Sequence, residues 1–162
     1  MMRVFSKFRW LGVLVLLAGL GACTNDPGKL SSSASGNAVP GSVEDFNLNV
    51  GDRVFFDTDQ TSLSSTARAT LQRQAAWLKT YPKIKVRIEG HADERGTREY
   101  NIALGARRAS TTRAYLASLG VASSRMKVLS FGKERPVATC DNISCWSQNR
   151  RAVTVVTSGA GS

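Results

Sequence analysis

One histidine, His91, stands in a chain of 162 residues with three cysteines, four prolines and 7% aromatic residues. A protein metal site draws three or four ligands from several places in the chain. There is no second histidine, and Cys140 and Cys145 form a pair of their own, separated by four residues. The run His91-Ala92-Asp93-Glu94 therefore lacks the partners a metal would need, and a lone histidine at a strand end is more often structural. The same scarcity works against Ser/His/Asp and Cys/His catalysis, because nothing marks any of the many serines and threonines as activated. The chain reads as a binding protein, not an enzyme, with no cofactor. Acidic residues are also few: 12 against 22 Lys+Arg, a formal charge of +10. Without Arg3, Lys7 and Arg9, which precede Cys23, the balance is 19 − 12 = +7. That suits an anionic partner without choosing one. Nucleic acid fits poorly, since the few aromatics are not interleaved with Arg107-Arg108 or Arg150-Arg151.

A long hydrophobic run is missing as well. From Trp10 to Ala22 the uncharged stretch is 13 residues, whereas a membrane-spanning helix needs roughly 20. Preceded by three cations and closed by Gly21 and Ala22, it fits the apolar region of a secretory signal over residues 1–22. Leu20-Gly21-Ala22-Cys23 resembles the lipobox of bacterial lipoproteins. That resemblance implies a lipidated Cys23 as the mature N-terminus; an ordinary signal with an incidental cysteine is the alternative. Acyl chains contribute on the order of 0.8 kcal/mol per buried methylene, and more than one chain gives durable anchoring. Thr24, where Asp would redirect sorting, implies by the same resemblance an outer-membrane lipid anchor with the globular part in the periplasm. Export also removes the chain from cytoplasmic nucleic acid. Residues 23–45 then read as the lipidated cysteine and a flexible spacer rich in Ser, Gly, Asn and Pro, as in Ser31-Ser32-Ser33-Ala34-Ser35-Gly36-Asn37.

The folded domain is expected over residues 46–157, with a small-residue tail at 158–162. Arg53-Val54-Phe55-Phe56 has strand character. Thr61, Ser62 or Ser64 can cap the helix marked by Ala67, Leu71, Ala75 and Leu78, which Tyr81-Pro82 ends. Lys83 to Glu89 alternates strictly, with Ile84, Val86 and Ile88 on one side and Lys83, Lys85, Arg87 and Glu89 on the other. This predicts a sheet with one covered and one wet face. A second helix runs from about Thr97 to Leu119 and stops at Gly120. Ala103, Ala106, Ala109, Leu116 and Leu119 are expected on its apolar side. Met126–Phe131 and Arg151–Val156 complete the strands. The order β-α-β-α-β-β predicts an α+β two-layer sandwich, its helices on one face of a mixed four-stranded sheet.

The stretch with most chemistry is Glu89 to Ala109, a strand running through a charged turn into a helix. Helical spacing returns Asn101, Leu104 and Arg108 to one face. A loop carboxylate, Asp93, and a helical guanidinium, Arg108, are thereby offered to a small zwitterion. A planar guanidinium holds a carboxylate through two parallel hydrogen bonds, and a carboxylate accepts from an ammonium. Each such charge-assisted bond is worth about 1.5–3 kcal/mol. The alternative is that Asp93 and Arg108 pair with each other as a structural salt bridge.

Residues Gly90 to Ala109, together with Ser130-Phe131-Gly132-Lys133-Glu134-Arg135-Pro136 and Asn149-Arg150-Arg151, resemble the OmpA-like peptidoglycan-binding domain family, most closely its lipid-anchored branch. The resemblance implies recognition of meso-diaminopimelate in the peptidoglycan stem peptide. Position by position, Asp93 would meet the ligand's ammonium and Arg108 its carboxylate, with Phe56, Asp57, Arg95, Asn101 and Leu104 as further pocket positions. It also implies an anchor between outer membrane and cell wall that supports envelope integrity and constriction at division, with TolB and other Tol proteins as partners. An inner-membrane, stator-like wall anchor and a peptidoglycan-processing enzyme are the alternatives. Cys140-Asp141-Asn142-Ile143-Ser144-Cys145 departs from the family pattern. In an oxidising periplasm a disulfide would close this loop, against the alternative of two free thiols.

Overall fold

The strand Lys85–His91 alternates in burial only from Lys85 to Ile88 and is covered from there to His91, and the sheet is assembled on both of its edges. The computed structural model describes residues 38–160. The expected signal peptide, Cys23 and most of the spacer lie outside the described residues, as do the last two residues. In chain order the elements are α1 (Val43–Asp45) running into a π-helical turn (Phe46–Val50), β1 (Arg53–Phe55), α2 (Ser65–Thr80), β2 (Lys85–His91), α3 (Arg98–Ser118), a 3-10 turn (Ser123–Arg125), β3 (Met126–Gly132), α4 (Ile143–Asn149) and β4 (Arg151–Ser158). The sheet order is β1-β4-β2-β3, with β2 parallel to β3 and β4 antiparallel to both β1 and β2. This is the expected α+β class with a mixed four-stranded sheet.

Local chemistry sets the helix ends. The Ser64 hydroxyl accepts from the Ala67 amide at 3.1 Å and Thr97 from the Tyr100 amide at 3.2 Å, each satisfying an otherwise orphaned donor. Leu71 and Leu78 of α2 and Ala109 and Leu116 of α3 are buried against Val54, Val86, Ile88, Met126 and Ala152 of the sheet. Burying such side chains contributes about 1.5–3 kcal/mol each. The polar pair inside this core is satisfied: Thr154 donates to Gln74 at 2.8 Å, and Gln74 donates to the Gly51 carbonyl at 2.7 Å.

Several expectations are corrected. Glu89, read as facing water, is 8% exposed and paired with Arg87, because neighbouring side chains cover that part of the outer face. Ala103 is exposed; the buried face of α3 is Asn101, Leu104, Gly105, Arg108, Ala109, Thr112 and Leu116. Its close approach to the sheet comes from glycine, since a Cβ on Gly90 would overlap the Gly105 carbonyl. Residues 38–45, read as spacer, are folded. The Asp45 carboxylate accepts from the Gly41 amide at 2.9 Å and from the Trp77 indole at 2.7 Å, and Phe46 is fully buried. The end of the chain also extends further than expected, with Thr157 donating to the Lys85 carbonyl at 3.0 Å and Ser158 still in register with Lys85.

Candidate functional site

Arg108 is the largest fully buried side chain of the described residues, and its position follows from one helical face of α3. Its Nε donates to the Gln60 carbonyl at 2.9 Å, one terminal nitrogen to His91 at 2.9 Å and the other to Asp57 at 3.1 Å. It therefore clips together the loop after β1 and the end of β2. Its guanidinium stands 5.3 Å from the centre of the Phe56 ring. Burial, with the like charge of Arg150 nearby, lowers its pKa to about 10, so it remains a cation at neutral pH. Among the described residues it makes no ion pair. Two of its five N–H donors remain beyond the three used on carbonyls.

Asp93 sits across the same cleft and is held by other partners. Arg95 donates to both of its oxygens, from Nε at 3.1 Å and from a terminal nitrogen at 2.7 Å, and the Arg95 amide adds a bond at 3.2 Å. Buried Arg150 approaches the same carboxylate at 3.3 Å while its Nε donates to the Phe56 carbonyl at 3.0 Å. Burial alone would raise the Asp93 pKa; hydrogen bonds from Arg95 and Arg150 outweigh it and hold the carboxyl below its ordinary range. Asp93 and Arg108 are thus not a salt bridge with each other. One wall presents a carboxylate whose chief partner, Arg95, has a 42% exposed side chain. The other presents a cation with no ion-pair partner among the described residues.

Between them is an open cleft of about 250 Å³ lined by Thr58, Asp59, Asp93, Arg95, Gly96, Tyr100, Asn101, Leu104 and Arg108. Of the residues singled out from sequence, Asp93, Arg95, Asn101, Leu104 and Arg108 converge here. Phe56 and Asp57 do not line it: Phe56 is buried, and Asp57 contributes its backbone carbonyl to Arg108. Their neighbours Thr58 and Asp59 take the wall. Tyr100 donates to the Asp59 carboxylate, joining α3 to the loop after β1. Asn101 is 2% exposed and donates to the Arg95 and Thr97 carbonyls at 2.8 and 3.0 Å, fixing the turn that carries Asp93. Gly96 has φ of 88°, a backbone conformation that favours glycine, which lets the turn enter α3. Sequence reading missed Tyr100, Asp59 and the role of Arg150. For Tyr100 the available signal was its place one residue before Asn101.

His91 contributes through its backbone. Its ring is buried and stacked 5.6 Å from Phe131, and neither ring nitrogen has a hydrogen-bond partner among the described residues. Burial, then the charges of Arg151 and Arg135, lower its pKa to about 4, so the imidazole is neutral at physiological pH. α4 braces the Asp93 turn from outside. Trp146 lies 4.2 Å beneath the Arg95 guanidinium and donates to Glu94 at 2.9 Å, and a Cys140–Cys145 disulfide closes the loop leading into α4. The expected loop is therefore a short helix on a disulfide, with Asn142 capping it at 3.0 Å.

Residues 55–151 match the model of the OmpA family. The chain is 65% identical to a peptidoglycan-associated lipoprotein of Agrobacterium fabrum over 85% of this chain and 77% of that one. It is 61% identical to one of Rhizobium meliloti over 99% of this chain and 94% of that one. Among solved structures, it is similar to the peptidoglycan-associated lipoprotein of Burkholderia pseudomallei, with a TM-score of 0.64 and 44% identity over 65% of this chain and 90% of that one. It is also similar to the C-terminal domain of Helicobacter pylori MotB, with a TM-score of 0.62 over 66% of this chain and 84% of that one. At 20% identity that second likeness shows the fold alone.

Proposed function

The chain belongs to the OmpA family, and on that premise we propose that it is an outer-membrane lipoprotein that binds peptidoglycan non-covalently and tethers the membrane to the cell wall. The observation that carries the reading is Arg108, a buried cation without a counter-charge among the described residues, lining a cleft whose opposite wall holds Asp93. The far end of a meso-diaminopimelate residue supplies what both walls lack. Its carboxylate accepts the two spare N–H groups of Arg108. Its ammonium takes the place of Arg95 on Asp93, where the exchange of one cation for another leaves the carboxylate paired. Arg95 is the group able to leave, since its head is largely in water, while buried Arg150 stays to orient the carboxylate.

A lysine in that stem position keeps the ammonium and lacks the far carboxylate, leaving Arg108 unneutralised. Titration with diaminopimelate-type and lysine-type stem peptides is expected to favour the first by tenfold or more, from one or two charge-assisted bonds of about 1.5–3 kcal/mol. Equal affinities would overturn the assignment. The site has the character of a clamp for equilibrium binding, so the wall is held and not cleaved.

The finer parts of the reading are a lipid anchor at Cys23, a globular domain in the periplasm and partnership with TolB and other Tol proteins in envelope integrity and constriction. They are supported by the Leu20-Gly21-Ala22-Cys23 sequence and by likeness to proteins named as lipoproteins. Incorporation of a fatty-acid probe, lost in Cys23→Ser, tests the anchor. Competition between TolB and stem peptide for the Asp93 turn tests the partnership; simultaneous saturation would refute a shared site.

A further inference from the structure

We propose that the end of the domain at which the chain enters is a docking face for an anionic phospholipid surface, a proposal that rests on the reading of Cys23 as a membrane anchor. Gly41 packs against the ring of Tyr81, where a Cβ would come within 2.7 Å of Cε1, so the incoming chain joins the fold at the turn after α2. The backbone carbonyl of that same Tyr81 accepts from Arg125 at 2.9 Å. Arg125 in turn lines a cleft of about 330 Å³ with Lys85, Arg87, Ser124, Lys127, Thr157 and Ser158. Its lining includes four cations, three hydroxyls and no carboxylate. Arg87 is engaged by Glu89, and Arg125 by backbone carbonyls. Lys85 and Lys127 are exposed, and their ammonium groups have no partner among the described residues. Lys83, also exposed, lines an adjoining cleft with Tyr81 and Gly159.

The arrangement favours a lipid surface over a soluble anion for two reasons. First, residues 24–37 are all that separates Cys23 from the described domain, so a domain anchored there stays within roughly 50 Å of the bilayer even with the chain fully extended. At the millimolar effective concentrations that short tethers give, a face too weak to bind vesicles from solution is occupied. The exposed ammonium groups of Lys83, Lys85 and Lys127 belong to two adjoining clefts and not to one enclosed pocket, which suits a layer of phosphates better than a single phosphate. Second, the face lies beside Lys85 at the start of β2, whereas the Asp93–Arg108 cleft lies beyond His91 at its end. Resting this face on headgroups turns the wall-binding cleft away from the membrane.

The test uses the chain from Cys23 onward with its Cys140–Cys145 disulfide intact, coupled through the Cys23 thiol to maleimide lipid. It therefore reads docking whether or not cells lipidate Cys23, which the fatty-acid probe decides separately. Lysine acylation is followed by mass spectrometry on vesicles rich in phosphatidylglycerol and on phosphatidylcholine vesicles. Acylation of Lys83, Lys85 and Lys127 is expected to slow by about threefold or more on the anionic vesicles and to recover in high salt as the attraction is screened. Lys133, at the opposite end, should not change. In Lys85→Gln/Lys127→Gln the slowing of Lys83 should be lost, with stem-peptide binding retained. Equal rates on the two kinds of vesicle, or slowing of Lys133 alongside the others, would overturn the proposal.

Discussion

Arg108 and Arg125 stand at opposite ends of the domain and do superficially the same thing: each donates to three backbone carbonyls. Arg125 collects Leu78 in the last turn of α2 and Tyr81 and Ile84 just after it, and so closes off the end of a helix where carbonyls are otherwise orphaned. Arg108 collects Asp57 and Gln60 from the loop after β1 and His91 from the end of β2, and it is fully buried where Arg125 is half-buried. The segments that Arg108 holds together carry the walls of the cleft. The same hydrogen-bonding pattern is thus a local cap at one end and the assembly of the cleft at the other.

The sharpest test is Arg108→Ala. Three carbonyls, one of them fully buried, lose charged donors worth about 1.5–3 kcal/mol each, so unfolding should become easier by about 3 kcal/mol or more, and peptidoglycan pull-down should be lost. Arg108→Lys separates the two roles, since it restores a cation but cannot reach three carbonyls. Retained binding in Arg108→Ala would reduce Arg108 to a second Arg125. Next in size, Cys140→Ser/Cys145→Ser should cost about 2 kcal/mol in denaturant unfolding, as expected for a short closed loop. Stem-peptide affinity should fall as well, because the loop leads to Trp146 under Arg95. Arg125→Ala should cost about 1 kcal/mol and leave affinity unchanged; a loss of affinity would mean that the two ends are coupled.

The smallest effect at neutral pH is that of His91→Phe, which keeps the stacking on Phe131. The folded His91 pKa of about 4 lies below the ordinary 6.5, so the unfolded chain binds the proton first. Its stabilising effect is complete above about pH 6.5 and is lost as pH falls toward 4. The variant should match the wild type in thermal unfolding at pH 7.5 and surpass it near pH 4.5. Equal losses in both would show that His91 does not carry the acid sensitivity of the cleft end.

Much of this arrangement could be read from the sequence. The inward set Ile84, Val86 and Ile88 and the spacing of Asn101, Leu104 and Arg108 depend on local periodicity, and both appear as expected in the folded chain. What could not be read depends on coverage by distant segments. Glu89 and Ala103 were assigned to faces by period alone, yet one is covered by its neighbours and the other left bare. Arg150 reaches Asp93 across 57 residues of chain, and no local pattern signals it. The folded state of residues 38–45 was hidden because Asp45 is held by Trp77, a partner on another element, while the composition around it is that of a spacer.

Gly90 and Gly105 have a further consequence. Neither touches the cleft, yet their backbones set how far α3 stands from β2, and those two elements carry Arg108 and the His91 carbonyl it grips. A missing methyl group therefore acts as a gauge for the cleft. Substituting alanine at either position would lift the helix and lengthen the span between Asp93 and Arg108 with no cleft residue altered. The width of the cleft proposed to hold the ligand can in this way be tuned from underneath.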